Sequence, residues 1–346
     1  QLGRFKLNAG GFIHASYQRT SFRRFPYRES RSGVSDARYA PPDVLFASEN
    51  YGSAWTMTEL TTSLDSFDAS EELFAAYMSV QVQPLEWLRL FAGARAEAFR
   101  QRLDPLGLFV AEGQLDQDIV DRNRVDRTDI DILPSASVVF GVADDMNVRL
   151  AYSETVARPR PQELSGAIIP DFLRRRTIYG SPDVQRTKIR NFDVRWEWFP
   201  GATEVVALSA FGKIFDDPIE MVILDGNRTV TYQNVDAARN FGLEAEVRVD
   251  LERVANPLRD FEVGVNATLV YSRVSLTDMQ SMVATNAERP MAYQAPWMFN
   301  VNLGYAPDEA PFSAYLFYNV NGPYIEEVGN QPLPDSYFQP FHRLDF

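Results

Sequence analysis

The sequence predicts an all-β protein whose strands form an antiparallel transmembrane β-barrel with long extracellular loops. Three observations support this fold class. Apolar and charged residues alternate one by one over long segments, many of these segments run to a dozen residues or more, and short and long connections alternate between them. Since successive side chains of a strand point to opposite faces, each segment has one apolar face and one polar face.

The clearest alternation lies in residues 192–198. One face carries Phe192, Val194, Trp196 and Trp198, and the other carries Asp193, Arg195 and Glu197. The same period of two recurs in four further segments, 5–17, 87–100, 241–250 and 297–305. Such a strand has either its aromatic face in a soluble core or that face toward lipid, with the charges lining a lumen.

The pattern predicts eleven complete strands and the start of a twelfth. They lie at about residues 2–18, 71–83, 87–100, 131–142, 146–157, 187–199, 202–224, 228–250, 260–273, 297–306, 311–320 and from 341 onward. Because a closed antiparallel barrel needs an even number of strands, the eleven complete strands imply either that the sheet continues beyond Phe346 or that the pattern misses one strand.

The connections between these strands are short at one end and long at the other. Short links rich in Pro, Gly, Asn and Asp, residues that suit turns, fall at 82–85, 143–147, 199–202 and 306–309, and a medium link covers 252–259. The long links are 19–70, 101–130, 158–186, 274–296 and 321–340, with a hairpin tip at 225–227. Outer-membrane barrels have this arrangement, with the long loops facing outward.

Strand length favours the membrane barrel over a soluble sheet. Strands of soluble proteins usually have about five or six residues, whereas a tilted strand crossing lipid needs about 9–11. A soluble β-rich glycan-binding protein or hydrolase is the rival class, and it predicts a buried aromatic face at 192–198. No segment approaches the roughly 20 apolar residues of a spanning helix.

Composition excludes several kinds of site. The chain has no cysteine, so disulfides and thiolate metal sites are absent, and its net charge of −13 argues against a nucleic-acid partner. The two histidines, His14 and His342, are far apart in sequence, and no glycine-rich phosphate loop is present. We therefore expect no catalytic residues, no metal and no cofactor, and the protein is not expected to be an enzyme.

Several motifs from Asn147 onward resemble the barrel of TonB-dependent outer-membrane receptors. Their order and spacing match over roughly residues 70–346. The motifs are Asn147–Pro159, Glu163-Leu164, Gly180–Asp183, Asn191–Glu197, Phe211-Gly212-Lys213, Pro218-Ile219-Glu220, Asn234, Phe241–Glu246, Arg289-Pro290 and Arg343-Leu344-Asp345.

The resemblance implies a fold and a function. In this family a 22-stranded barrel is occluded by an N-terminal plug, and TonB energises uptake of a scarce nutrient such as a ferric siderophore, cobalamin or a glycan. Residues 1–346 are then expected to be a single domain, the barrel portion, without the plug, the TonB-binding segment or the last strands. The expected location is the bacterial outer membrane. A plugless porin, closed within this chain, is the alternative among membrane proteins.

The polar faces supply candidate contacts with the plug or with a passing ligand. They are Arg95, Arg149, Arg158, Asp193, Arg195, Glu197, Lys213, Glu244 and Glu246. For most of these residues the favoured interpretation is a ladder of ion pairs between neighbouring strands, in which the charges of the wall neutralise one another and bind no ligand. Arg158-Pro159 falls where a strand meets a long loop, and there we expect a turn that shapes the vestibule.

Two loop segments have unusual charge. The basic and aromatic stretch 19–31 includes Arg19, Arg23, Arg24 and Arg28, which are candidate contacts for lipopolysaccharide phosphates or another anion; a loop packed on its neighbours is equally compatible. Six aspartates between Asp116 and Asp131 are interleaved with arginines. Their spacing is not that of a calcium-binding EF-hand loop, so a solvated loop is favoured.

Overall fold

The computed structural model describes residues 4–29, 41–52, 55–109, 116–225, 229–307 and 311–346. Within these ranges one antiparallel sheet of twelve strands dominates the fold. Each of its strands corresponds to one of the twelve predicted strands, so the predicted all-β antiparallel architecture is confirmed.

The secondary structure consists of twenty strands and four short helices in the described residues. The strands are β1 (Arg4–Ser21), β2 (Tyr27–Glu29), β3 (Trp55–Met57), β4 (Ser66–Leu85), β5 (Leu88–Pro105), β6 (Val125–Ala143), β7 (Met146–Ala157), β8 (Ile168–Asp171), β9 (Arg176–Tyr179), β10 (Thr187–Trp198), β11 (Val205–Asp216), β12 (Ile219–Ile223), β13 (Thr229–Asn234), β14 (Ala237–Asp250), β15 (Phe261–Ser275), β16 (Trp297–Tyr305), β17 (Ala314–Asn321), β18 (Tyr324–Glu327), β19 (Ser336–Phe338) and β20 (Phe341–Asp345). The helices are α1 (Pro42–Leu45), α2 (Gln117–Arg122), α3 (Pro161–Leu164) and α4 (Asp278–Val283), with single 3-10 turns at Ser48–Asn50, Leu251–Arg253 and Asn256–Leu258.

The large sheet, here called the wall, is a meander. Its strand order is β1, β4, β5, β6, β7, β10, β11, β14, β15, β16, β17 and β20. Short links such as 86–87 and 144–145 lie at one end, and long links such as 158–186 lie at the other. The predicted alternation of connection length is thereby confirmed, although residues 226–227 and 308–309 of two predicted links lie outside the described residues.

Two predicted strands are wrong in extent. The segments 202–224 and 228–250 were expected to be single long strands, but each is divided near Asp217 and Asp236. Asp217 has a positive φ of 56°, Pro218 follows it, and the Asn234 amide donates to the Asp217 carbonyl at 2.6 Å. This bend directs β12 and β13 away from the wall into a separate four-stranded sheet, ordered β12-β13-β9-β8.

Strands β4, β5 and β6 are longer than predicted toward the long-loop end. The added segment of β5 has Arg100 and Arg102 on one face and the buried Gln101 on the other. Because the outer face is charged there, whereas the buried inner face includes Phe99 and Leu103, the pattern of an apolar outer face stops while the strand pairing continues. These ends of the strands therefore extend past the apolar part of the wall.

The outer face of the wall is apolar and exposed. In β10, Phe192 and Val194 are 46% and 48% exposed, whereas Asn191 and Glu197 on the opposite face are buried. A soluble sheet would bury Phe192 and Val194 and expose the polar face. The burial is the reverse, as expected of a wall whose outer face meets lipid.

The buried apolar side chains of the upper wall belong to its inner face. Phe67 of β4 and Leu103 of β5 are almost fully buried against Leu164 and Val184 from the 158–186 connection. This connection therefore folds inward and covers part of the interior of the wall.

The wall is open at both edges in the described part of the chain. β1 pairs only with β4, and β20 pairs only with β17. In hydrocarbon no water is present to bond the remaining backbone groups, so each edge requires a further strand partner.

The described helices are short. None of them is long and apolar enough to cross a membrane.

A lipid-facing arginine tests the orientation of the wall. Val194→Arg is expected to lower the free energy of unfolding in lipid vesicles, by about 2–4 kcal/mol if the residue lies at the bilayer midplane. Asp193→Arg, one position away on the inner face, is the matched control and should cost less than about 1 kcal/mol because its charge stays in water. Urea unfolding of the complete protein in vesicles measures both; equal losses would contradict the assignment of faces.

Candidate functional site

The lower inner wall carries an ion ladder across adjacent strands. Arg195 of β10 donates to Glu197 at 2.8 Å and to Glu246 of β14 at 2.7 Å, and it also reaches Ser209 at 3.1 Å. Arg149 of β7 lies 3.6 Å from Glu197. The hydrogen bonds and ion pairs of these four charged residues are mainly with one another. This agrees with the wall-lining role favoured from the sequence.

The other predicted wall residues have fewer partners. Lys213 donates to the Asn191 amide oxygen at 2.9 Å. Asp193 and Glu244 have no hydrogen bond or ion pair within the described residues. Both carboxylates are therefore available for further contacts, and their contact with a plug or a ligand stays a prediction.

A second network lies higher on the inner wall. Arg158, at the end of β7, donates to the buried Glu97 at 2.6 Å and stacks over the Phe99 ring at 4.5 Å. Arg95 binds the same carboxylate at 2.5 Å. Asp131 accepts from Arg158 at 3.4 Å. These contacts fix Arg158 against the inner wall, and the chain then enters the interior of the wall. The predicted turn that shapes the vestibule stays a prediction.

The long connections pack together over this region. Here four of them are called the loop cap, which comprises residues 158–186, 217–225, 229–236, 276–296 and 322–340. The sheet of β8, β9, β12 and β13 joins the first two connections through the parallel pair of β9 and β13. A main-chain bridge between Val222 and Val328 joins the fourth connection to this sheet, and a second bridge between Ala284 and Asn330 joins the third connection to the fourth.

Buried ion pairs hold the loop cap together. Arg289 donates two hydrogen bonds to Glu220, at 3.1 and 2.7 Å, and both side chains are almost fully buried. Arg176 of β9 pairs with Glu327 of β18 and with Asp171. Burial opposes ionisation of Asp171, but hydrogen bonds from the Arg174 backbone and from Arg176 outweigh it and lower the pKa of this carboxyl.

A cavity of about 520 Å³ lies between the loop cap and the wall. Its polar lining includes Arg158, Arg160, Glu163, Tyr232 and Tyr293, and its apolar lining includes Ile189, Phe215, Ile219, Met221 and Met291. This volume is within the range of small-molecule sites, which combine apolar walls with a few convergent polar groups.

Two phenols define the polar side of the cavity. Burial raises the pKa of both Tyr232 and Tyr293, so both hydroxyls stay protonated and can donate hydrogen bonds at neutral pH. Tyr293 has a left-handed backbone with φ of 61°, held by a hydrogen bond from its amide to the Ile325 carbonyl at 2.7 Å. Strained backbone at a bulky residue is often found where a side chain must be held for function.

Of the predicted site residues, Arg158 alone lines this cavity. Sequence reasoning missed Arg160, Glu163 and Tyr293 because they lie in long connections without a strand period. It missed Tyr232 because the predicted strand 228–250 placed this residue in the wall, whereas it lies in β13. The motif that contains Glu163 was a usable signal, since its carboxylate accepts from the Arg160 backbone and starts α3.

The basic stretch near the start of the chain is largely neutralised. Arg19 pairs with Asp68, Arg23 with Glu59 and Arg24 with the buried Asp65. Arg28, in β2, has no ion pair within the described residues, and residues 30–31 lie outside them. These pairs match a loop packed on its neighbours, and anion binding at this stretch stays a prediction.

The acidic run has structural contacts. Asp116 caps α2 by accepting from the Ile119 amide at 3.1 Å, and Asp131 pairs with Arg186 at 2.9 Å. The expectation of a solvated loop throughout is wrong for the last three aspartates, since Asp126, Asp129 and Asp131 lie in β6. Within the described residues no group of three His, Asp or Glu side chains is placed to hold a metal ion.

Comparison with known proteins gives a family match over nearly the whole chain. The family model "TonB dependent receptor-like, beta-barrel" matches residues 2–346. No curated protein sequence matches the chain.

Solved structures share the fold at low sequence identity. The siderophore receptor PiuA from Acinetobacter baumannii aligns with a TM-score of 0.58 and 11% identity, over 98% of this chain and 46% of that protein. The ferric-catecholate import receptor Fiu from K12 E. coli gives 0.57 and 12%, over 97% and 44%. The ferric yersiniabactin uptake receptor FyuA from Yersinia pestis gives 0.51 and 14%, over 81% and 38%. The chain therefore spans less than half the length of these proteins.

An antiparallel wall with an apolar outer face, a charged inner face and a folded loop cap defines the class of outer-membrane barrel proteins. The chain belongs to the TonB-dependent receptor β-barrel family. This family resides in the outer membrane of Gram-negative bacteria, which places the short links at the periplasmic end and the loop cap outside the cell.

The buried pair Glu220–Arg289 is expected to control the stability of the loop cap. Arg289→Met leaves the Glu220 carboxylate buried without its cation, which should lower the free energy of loop-cap opening by about 3–5 kcal/mol. The rate of limited proteolysis of the loop cap measures this opening.

The matched double variant is Glu220→Gln with Arg289→Met. Glutamine still accepts from the Ala292 amide, which bonds Glu220 at 2.9 Å in the native protein. Because no unpaired charge is then buried at this site, the double variant should regain most of the protection against proteolysis that Arg289→Met loses. Equal proteolysis of the native protein and Arg289→Met would exclude this role of the pair.

Proposed function

We propose that this chain is the barrel portion of a receptor that captures a scarce nutrient at the cell surface for TonB-energised import. The observation that carries the proposal is the cavity beneath the loop cap, which is large enough for a small ligand and lies directly above the inner wall. TonB is expected to act on the plug of the receptor rather than on this barrel portion.

A ferric siderophore is the ligand class that the cavity favours. Arg160 is exposed at the cavity and has no ion pair within the described residues, so its charge is available to an anionic chelate. The Tyr232 and Tyr293 rings supply aromatic surface and neutral hydroxyl donors. PiuA, Fiu and FyuA, which share the fold, are named as receptors for siderophores or their ferric complexes. Cobalamin and glycans remain the other candidate cargoes.

A porin is the weaker hypothesis for this chain. It requires a barrel closed within the chain, but β1 and β20 are not paired with each other. In addition, the loop cap covers part of the interior and would obstruct free diffusion.

Ligand binding at the cavity can be tested with two substitutions in the complete receptor. Arg160→Ala removes a cation that would bond the ligand, and Tyr293→Asn removes the ring while keeping a residue that tolerates left-handed backbone. Because a hydrogen bond to a charged group contributes about 1.5–3 kcal/mol, Arg160→Ala should weaken binding at least about tenfold. Titration of intrinsic fluorescence with a panel of ferric siderophores measures the affinity.

Lys188→Ala is the matched control, since Lys188 lies beside the cavity residue Ile189 but on the opposite, exposed face of β10. Its affinity should equal that of the native receptor. Uptake of radiolabelled siderophore should disappear in cells without TonB while surface binding persists. Uptake that continues without TonB would contradict the proposed function and favour the porin.

A further inference from the structure

Two arginines lie side by side on the outer face of the wall. Arg239 of β14 and Arg273 of β15 are directly opposite each other in the strand register. Two residues below, Phe241 and Tyr271 are also direct partners, and they are 50% and 62% exposed. Asn240, on the other face of β14, is buried. The two guanidinium groups therefore project outward, from the same face as the aromatic rings.

The height of this pair places it at the membrane boundary. Aromatic residues of outer-membrane barrels form girdles at the edges of the apolar band. Below Arg239 the outward positions of β14 are Phe241, Leu243, Ala245, Val247 and Val249, and below Arg273 those of β15 run from Tyr271 to Phe261 without a charge. These uncharged stretches are long enough for a tilted strand to cross the hydrocarbon. The arginines thus lie just above the hydrocarbon, at the level of the outer-leaflet head groups.

The arginine pair is poorly compensated by the protein. Like charges directly opposite each other destabilise a sheet. Glu288 contacts Arg273 at 2.6 Å, but its side chain is 77% exposed, and such surface pairs are weak. Arg239 has no ion partner in the part of the chain that the structure describes. By contrast, Arg19 and Arg23 of the sequence-predicted basic stretch each have a paired carboxylate.

We propose that Arg239 and Arg273 form a binding site for a phosphate group of lipopolysaccharide in the outer leaflet. Guanidinium groups bind phosphate through paired hydrogen bonds, and one phosphate between them turns a repulsive pair into an attractive cluster. Phe241 and Tyr271 offer aromatic surface below it for the first carbons of the acyl chains. The site lies on the lipid side of the wall, away from the cavity, and it is independent of nutrient uptake.

The test uses the complete receptor, freed of lipid in detergent and titrated with lipid A in two forms. The native receptor should bind bisphosphorylated lipid A at least about tenfold more tightly than lipid A whose phosphates have been removed. Arg239→Gln with Arg273→Gln should abolish this preference. Arg239→Lys with Arg273→Lys retains the charges and should keep part of it.

Arg259→Gln is the matched control, because Arg259 is an exposed arginine at the opposite, short-link end of the same two strands. It should bind both lipids as the native receptor does. Heat-modifiable electrophoretic mobility checks that each variant is folded. Equal affinity of the native receptor for the two lipids, or an unchanged preference in the folded double glutamine variant, would overturn the proposal.

Discussion

The wall depends on one constraint, the absence of hydrogen-bonding solvent in the hydrocarbon of the membrane. Each backbone group must bond to a neighbouring strand, and polar side chains must lie on the face that lipid does not reach. The twelve-stranded meander meets the first demand except at its two edges. β10 shows how the polar side chains are kept away from lipid, since Phe192 is exposed on the outer face and Glu197 is buried on the inner face.

Collecting the polar side chains on one face creates an electrostatic problem on that face. Charges shielded from water are costly unless they are paired. The lower inner wall meets this demand with the ladder centred on Arg195, and the upper wall does so by bringing Arg158 against Glu97. Since Arg158 begins a long connection, the same ion pair draws the loop cap inward. The cavity is thus a consequence of how the wall charges are neutralised.

The wall was predictable from the sequence, because its period of two depends on local alternation and on the length needed to cross lipid. The pattern located every strand of the wall, since each must present apolar residues to the membrane. It failed at Pro218, where β11 and β12 read as one strand although Asp217 turns the chain. It also ended too early at β5, where the outer face becomes charged at Arg100 and Arg102.

The loop cap was not predictable, because its contacts join residues distant in sequence. Glu220 and Arg289 are separated by 69 positions, and Arg176 and Glu327 by 151. Both members of the first pair lie in motifs of the family, but the sequence did not indicate that they bind each other. Tyr293 shows no sequence signal either, since its exceptional backbone is imposed by the neighbouring connection.

The most direct test of the lipid-facing wall is a nitroxide scan along residues 191–197 of the complete receptor in vesicles. Oxygen, which concentrates in lipid, should relax labels at 192, 194 and 196 more strongly than labels at 191, 193, 195 and 197. This alternation would show that the aromatic face of β10 contacts lipid. Uniform relaxation, or stronger relaxation of labels at 192 and 194 by a water-soluble nickel chelate, would contradict the account.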